Sequence, residues 1–136
     1  MSNDWVKDIA EMHKKYGVND WVRDPKNKEQ LRQFLVFRLD FLEEEFDETQ
    51  KAFFDGNKEE IVDGLIDLCV IAIGTLNAFD IDAHEAWNRV FKANMDKEVG
   101  IKPGRPNPLG LPDLIKPKGW KGPEHNDNTG LLPNAV

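Results

Sequence analysis

Cysteine is almost absent: Cys69 stands alone among 136 residues. No disulfide can close within the chain, and a single thiol among apolar neighbours reads as a small buried hydrophobe. Proline is scarce over the first hundred residues, where Pro25 is the only one, and that leaves long stretches free to be helical. The most hydrophobic stretch, Leu68 to Phe79, falls well short of the roughly 20 residues that span a bilayer. The N-terminus Met1-Ser2-Asn3-Asp4 lacks the basic region and apolar run of a signal peptide. A cytoplasmic protein with no membrane partner is therefore expected. Basic charge is also in deficit, and a net charge of -7 argues against gripping a nucleic-acid backbone. The length gives one domain, small enough that a homo-oligomer, dimer or tetramer, is expected to cover its apolar faces.

What is present is helical periodicity. A first pattern spans about Asp4 to Tyr16, with Trp5, Ile9 and Met12 on one side and Gly17 as the stop. Asn3-Asp4-Trp5-Val6-Lys7-Asp8 is echoed by Asn19-Asp20-Trp21-Val22-Arg23-Asp24. One echo is no solenoid period, so two Asn/Asp-capped helix starts are expected. A long amphipathic pattern from about Lys28 to Phe54 sets Leu31, Leu35, Leu39, Leu42 and Phe46 at three- and four-residue intervals. Asp55-Gly56-Asn57 ends it, and Asn57 with Glu60 resembles a capping box for the next helix. So short a link makes the flanking helices antiparallel neighbours.

The third helix, about Lys58 to Phe79, is apolar on almost every face and is expected at the centre of the molecule. Asp82 with Glu85 opens a fourth that presents Trp87, Val90 and Phe91 to the core and ends near Glu98 or Gly100. From Gly100 onward lie seven of the eight prolines and six of the ten glycines. Regular structure is not expected there. An irregular arm over 101–136 is predicted to lie on the all-α domain of 1–100 or on a neighbouring subunit, with only the last dozen residues loose.

Charge is segregated within the total. From Glu29 to Asp67 there are 12 acids and 4 bases, whereas from Arg89 to Gly122 there are 8 bases and 3 acids. Glu44, Glu45 and Glu48 form Glu-Glu-x-x-Glu on the long helix, and Asp63 and Asp67 share a face of the next. Counting from the turn at about 1.5 Å per residue, Glu48 is level with Asp63 and Glu45 with Asp67, which makes two rungs. Alone, Glu-Glu-x-x-Glu reads as a solvated acidic face. Two aspartates in register within an apolar helix change that, because no Lys or Arg occurs between Lys58 and Arg89 to pair with them. All-oxygen ligation favours Mg²⁺, with Mn²⁺ able to substitute, over zinc or copper. A ferritin-like di-iron site needs Glu-x-x-His, and His13, His84 and His125 are not so placed.

This constellation resembles the MazG-like, phosphoribosyl-ATP pyrophosphohydrolase-like family of all-α nucleotide pyrophosphatases. Phe37-Arg38-Leu39-Asp40-Phe41-Leu42-Glu43-Glu44-Glu45 is similar to the family's approach to its first acidic cluster. Asp63-Gly64-Leu65-Ile66-Asp67 is similar to a variant of the second, and Lys92-Ala93-Asn94-Met95-Asp96-Lys97 to a nucleotide-contacting segment. The Pro-rich Arg105-Pro106-Asn107-Pro108-Leu109-Gly110-Leu111-Pro112 looks most like compact bacteriophage members, for which the host cytoplasm is the expected location. Many relatives carry Glu where this chain has Gly64, so Asp63 must supply that ligand from one residue earlier.

The resemblance implies cleavage of a nucleoside triphosphate between the α and β phosphates, with divalent metal held by Glu45, Glu48, Asp63 and Asp67. Glu44 or Glu48 is the candidate to orient the attacking water. Lys92, Asn94, Lys97, Arg105, Lys116 and Lys118 are the candidates to bind substrate, and Trp120 or Trp21 is better suited to packing than to stacking on a base. Two alternatives stand beside this: phosphoribosyl-ATP or a signalling nucleotide as substrate, and a non-enzymatic helical interaction module.

Overall fold

The computed structural model describes residues 2–104 and 108–136, and its regular structure is almost all helix. Helix α1 runs Trp5–Lys15, α2 Val18–Arg23, α3 Leu31–Phe54, α4 Lys58–Ala78 and α5 Ala83–Met95. The all-α expectation holds. Two departures from it are local: Glu98–Gly100 (β1) and Asp113–Ile115 (β2) pair antiparallel, with Val99 opposite Leu114. The chain folds as two compact units, residues 1–83 with 128–136, and residues 84–127.

In the first unit, local chemistry sets the helix ends. Asp4 caps α1 by accepting from the Lys7 N–H at 3.0 Å, as its half of the repeated motif predicts. The second half behaves differently. Asn19 and Asp20 lie inside α2, whose N-cap is Gly17 at φ 74°. Glycine takes this left-handed conformation without steric cost, so one residue both closes α1 and opens α2, leaving the Asn-Asp pair nothing to cap. The long helix also starts later than its periodicity suggests, because Pro25–Gln30 winds as a 3₁₀ segment capped by Asp24.

The turn between α3 and α4 is as expected. Gly56 sits at φ 69°, the Asn57 N–H reaches back to the Ala52 carbonyl at 2.9 Å, and Asn57 Oδ1 accepts from the Glu60 N–H at 3.2 Å. The two helices then run antiparallel in close contact, and α1 packs across α4. At the far end Val22, Leu31, Ala78, Phe79 and Ala135 form the buried core, with Phe34, Leu35, Leu131 and Leu132 against it. The last residues are thus docked, not loose. Asn128 clips the chain down by hydrogen bonds to both the N–H and the carbonyl of Asp82, and the Leu131 N–H donates to the Phe79 carbonyl at 2.7 Å.

Helix α4 is less enclosed than its composition suggests. Gly64, Ile71, Gly74 and Ala78 are its only buried residues, while Val62, Leu65 and Ile66 are exposed. It is also long and apolar enough, by length and composition, to cross a membrane. The shorter stretch read from the sequence underestimates it, because the helix extends back through Asp67 and Asp63 to Lys58.

Where α1 crosses the hairpin, His13 is buried at 4% exposure, and its Nδ1 has no hydrogen-bond partner among the described residues. Burial, then the Arg38 guanidinium, holds its imidazole below the ordinary histidine value, with Asn77 pulling the other way. The unfolded chain therefore takes up a proton that the folded chain resists. Stability from this site is complete above the ordinary histidine value and is lost as pH falls through it towards the lowered one. Melting temperature should fall as pH drops below the ordinary histidine value, and His13→Gln should flatten that fall. An unchanged slope in the variant would show that His13 is not the group responsible.

Candidate functional site

The α3/α4 seam places the acids. Residues facing α4 from α3 are Arg38, Glu45, Thr49 and Ala52, at helical spacing, and Gly64, Ile71 and Thr75 face back. The Thr49 hydroxyl donates to the Glu45 carbonyl at 2.7 Å, and a Cβ built on Gly64 would lie 2.1 Å from that hydroxyl oxygen. The helices approach so closely here only because Gly64 has no side chain. Where the family resemblance leads one to expect Glu, this chain has a helix contact.

Around that contact lie all five acids singled out by sequence. Glu45 and Asp67 are half-buried, and Glu44, Glu48 and Asp63 are exposed. None of the five carboxylates takes a hydrogen bond or ion pair from a described residue. Partial burial raises the Glu45 carboxyl above its ordinary value, and Glu48, Asp67, Glu44 and Asp63, in that order, push it further the same way. Glu45 on α3 therefore feels the acids of α4 across the seam. Among the described residues no three acidic, histidine or cysteine side chains already converge as a formed ligand set. The donors present are carboxylate oxygens that no base among the described residues pairs with, which suits a hard divalent cation.

The basic candidates belong to the second unit. Lys97 and Lys116 place their ammonium groups 5.2 and 5.0 Å from the centroid of the Trp120 ring. That indole is fixed by its Nε1–H, which donates to the Ala93 carbonyl at 2.7 Å. Both lysines thus lie over the indole ring, in keeping with a packing role for Trp120. Lys92 lines an open cleft of about 470 Å³ together with Arg89, Asp96, Lys121, Glu124 and Asp127. Arg89 is spent there on Glu85, Asp127 and the Glu124 carbonyl. Asn94 and Lys118 are exposed, and Arg105 lies outside the described residues.

A family model described as phosphoribosyl-ATP pyrophosphohydrolase matches residues 22–94, a span that takes in α3, the turn, α4 and nearly all of α5. The chain belongs to the phosphoribosyl-ATP pyrophosphohydrolase family. Membership places it in the MazG-like superfamily of nucleotide pyrophosphohydrolases, hydrolases of phosphoric anhydrides in nucleotide-like substrates. The matched segment contains every acidic candidate together with Lys92 and Asn94, and it ends before Lys97, Arg105, Lys116 and Lys118. Comparison with curated proteins and with solved structures found no match.

Three residues that shape the seam carry no local motif. Thr49 and Thr75 each bond back one turn along their own helix while facing the other, and Arg38 bridges the two. The available signal was weak: Arg38 is a lone cation seven residues before Glu45, so it falls on the same face of α3.

Proposed function

We propose that the protein hydrolyses a nucleoside triphosphate between the α and β phosphates, releasing the monophosphate and pyrophosphate, with Mg²⁺ as cofactor. The observation that carries this is the raised Glu45 carboxyl, pressed by Glu48, Asp67, Glu44 and Asp63 at the hairpin seam of a pyrophosphohydrolase-family chain. Like charges gathered with no base paired to them among the described residues call for a cation.

Glu45, Glu48, Asp63 and Asp67 would hold the Mg²⁺. Bound there, it would supply positive charge to the phosphate oxygens and acidify water for attack on phosphorus. Glu44 or Glu48, both exposed, is assigned the orientation of that water. Lys92, Asn94, Lys97, Arg105, Lys116 and Lys118 are assigned the binding of substrate, on the strength of their charge and of the paired lysines on Trp120. A second reading, phosphoribosyl-ATP as substrate, is favoured by the family description itself. Exposed Phe37, Phe46, Val62 and Leu65 support a homo-oligomer in which a second copy covers them.

One experiment tests these together. The eight common nucleoside triphosphates and phosphoribosyl-ATP are incubated with protein and Mg²⁺, and products are separated by chromatography. Release of pyrophosphate from at least one of them is expected, blocked by chelator, from a species whose light scattering gives a mass well above the 15.6 kDa of one chain. Millimolar Mg²⁺ should also raise the melting temperature, because a ligand of the folded state alone stabilises it. No cleavage together with no Mg²⁺-dependent shift would leave the interaction module standing.

A further inference from the structure

Between the acidic rungs and the far end of the hairpin lies a group that the proposed reaction does not use. Arg38 is half-buried on α3, with no carboxylate partner among the described residues. Its Nε donates to the Thr75 hydroxyl at 3.0 Å and its Nη2 to the Ile71 carbonyl at 2.9 Å, both on α4. Thr75 in turn donates to that same carbonyl at 2.7 Å, so one α4 carbonyl accepts from both. Space for the guanidinium is made by Gly74: a Cβ there would stand 2.6 Å from Arg38 Nη2 and 3.0 Å from the His13 ring.

A half-buried cation without a counter-ion costs free energy, and removing water from it lowers its proton affinity. A helix pair held together by apolar contact alone would not need one here. What distinguishes this hairpin is the mutual repulsion of its middle. Glu45 lies two turns, about 10 Å, along α3 from Arg38, and Asp67 one turn from Ile71 along α4. Their charges drive the helices apart at the point where the site must stay closed. The Gly64–Thr49 contact restrains that region on the side of the turn. On the other side the restraint is Arg38.

We infer that Arg38 is a positioning residue, a two-pronged clamp that holds α3 to α4 against the repulsion of the acidic rungs and so preorganises the cation site. This rests on the proposed Mg²⁺ site, and it adds a device that no acid of that site supplies. Preorganised ligands bind more tightly because less order is lost on binding. Lysine cannot replace Arg38, since it keeps the charge and loses the planar fork.

Two measurements test the clamp. The first is Mn²⁺ affinity, read from the resonance signal of the free ion. Arg38→Lys should weaken it about tenfold, and Gly74→Ala, which displaces an intact Arg38, should do the same. Val22→Ala, which loosens the distant core, should stay within about twofold of the unaltered protein, because distant independent sites do not couple. Full affinity in Arg38→Lys, or an equal loss in Val22→Ala, overturns the proposal. The second is thermal unfolding in chelator. Glu45→Gln should raise the melting temperature more in the Arg38→Lys background than in the unaltered protein, since the clamp no longer contains the repulsion. Simple attraction between charges at positions 38 and 45 gives no such excess, because Lys retains the charge. Equal rises in both backgrounds overturn the clamp. If the unaltered protein binds no Mn²⁺, the cation site falls and the chelator comparison alone decides the clamp.

Discussion

Glu45→Gln and Asp67→Asn should each reduce pyrophosphate release more than about 100-fold, since even the outer-shell partners of a metal site are worth roughly 10–100-fold. Glu45→Gln should also melt at a higher temperature than the unaltered protein in chelator, and Asp67→Asn, which removes one of the charges pressing on Glu45, should do so to a lesser degree. The sign follows from the raised Glu45 carboxyl. A carboxyl whose folded value lies above its unfolded one favours the folded state only while protonated. That contribution is present below the unfolded value and is lost as pH rises through the folded one. At neutral pH the charge is therefore a liability until a cation offsets it, and an uncharged amide of the same shape removes the liability along with the ligand. The rise should be small, because the acids are largely solvated.

Mg²⁺ should then reverse the order, lifting the unaltered protein and leaving both variants where they were. Retained activity in either variant would remove that residue from the site. Lost activity with a lower melting temperature in chelator would leave a site but refute repulsion as the origin of its electrostatics.

The placement of the acids on two consecutive helices was legible because it depends on local rules. Helical spacing puts Glu45 with Glu48 and Asp63 with Asp67, and Gly56-Asn57 fixes the turn from which heights are counted. The misread features depend on partners distant in sequence. Asn19 and Asp20 have the composition of a cap, but Gly17 already supplies both helix ends. The strands at 98–100 and 113–115 are three residues each, too short for an alternating pattern to show. The tail is held by Asn128 on Asp82 and by Leu131 on Phe79, contacts no local periodicity encodes. The buried His13, Arg38 and Gly74 group is of the same kind, three residues from three helices that meet only once the hairpin and α1 have packed.

Gly64 carries the second large effect. Restoring the acid that many relatives have there, Gly64→Glu, should abolish activity where family pattern alone would have it preserved. Gly64→Ala isolates the steric part. Glycine inside a helix costs about 1 kcal/mol relative to alanine, so propensity by itself predicts stabilisation. Against it, the new Cβ would meet Thr49 Oγ1 at 2.1 Å, its Cβ at 3.1 Å and its Cα at 3.5 Å. The hydroxyl is held by the Glu45 carbonyl and the backbone behind it belongs to α3, so the helices must separate. Overpacking of this kind costs about 1–3 kcal/mol, and a net loss of roughly 1 kcal/mol lowers the melting temperature by a few degrees. Thr49→Ala removes the 2.1 Å encounter, so the double variant should recover and exceed the unaltered protein as both alanines favour helix. Glutamate adds to the clash one more carboxylate at a seam already lined with acids, an unpaired charge whose partial burial costs several kcal/mol more. If Gly64→Ala proves stabilising without help from Thr49→Ala, the seam is wider than its geometry indicates, and the departure from the family's commoner acid needs another cause.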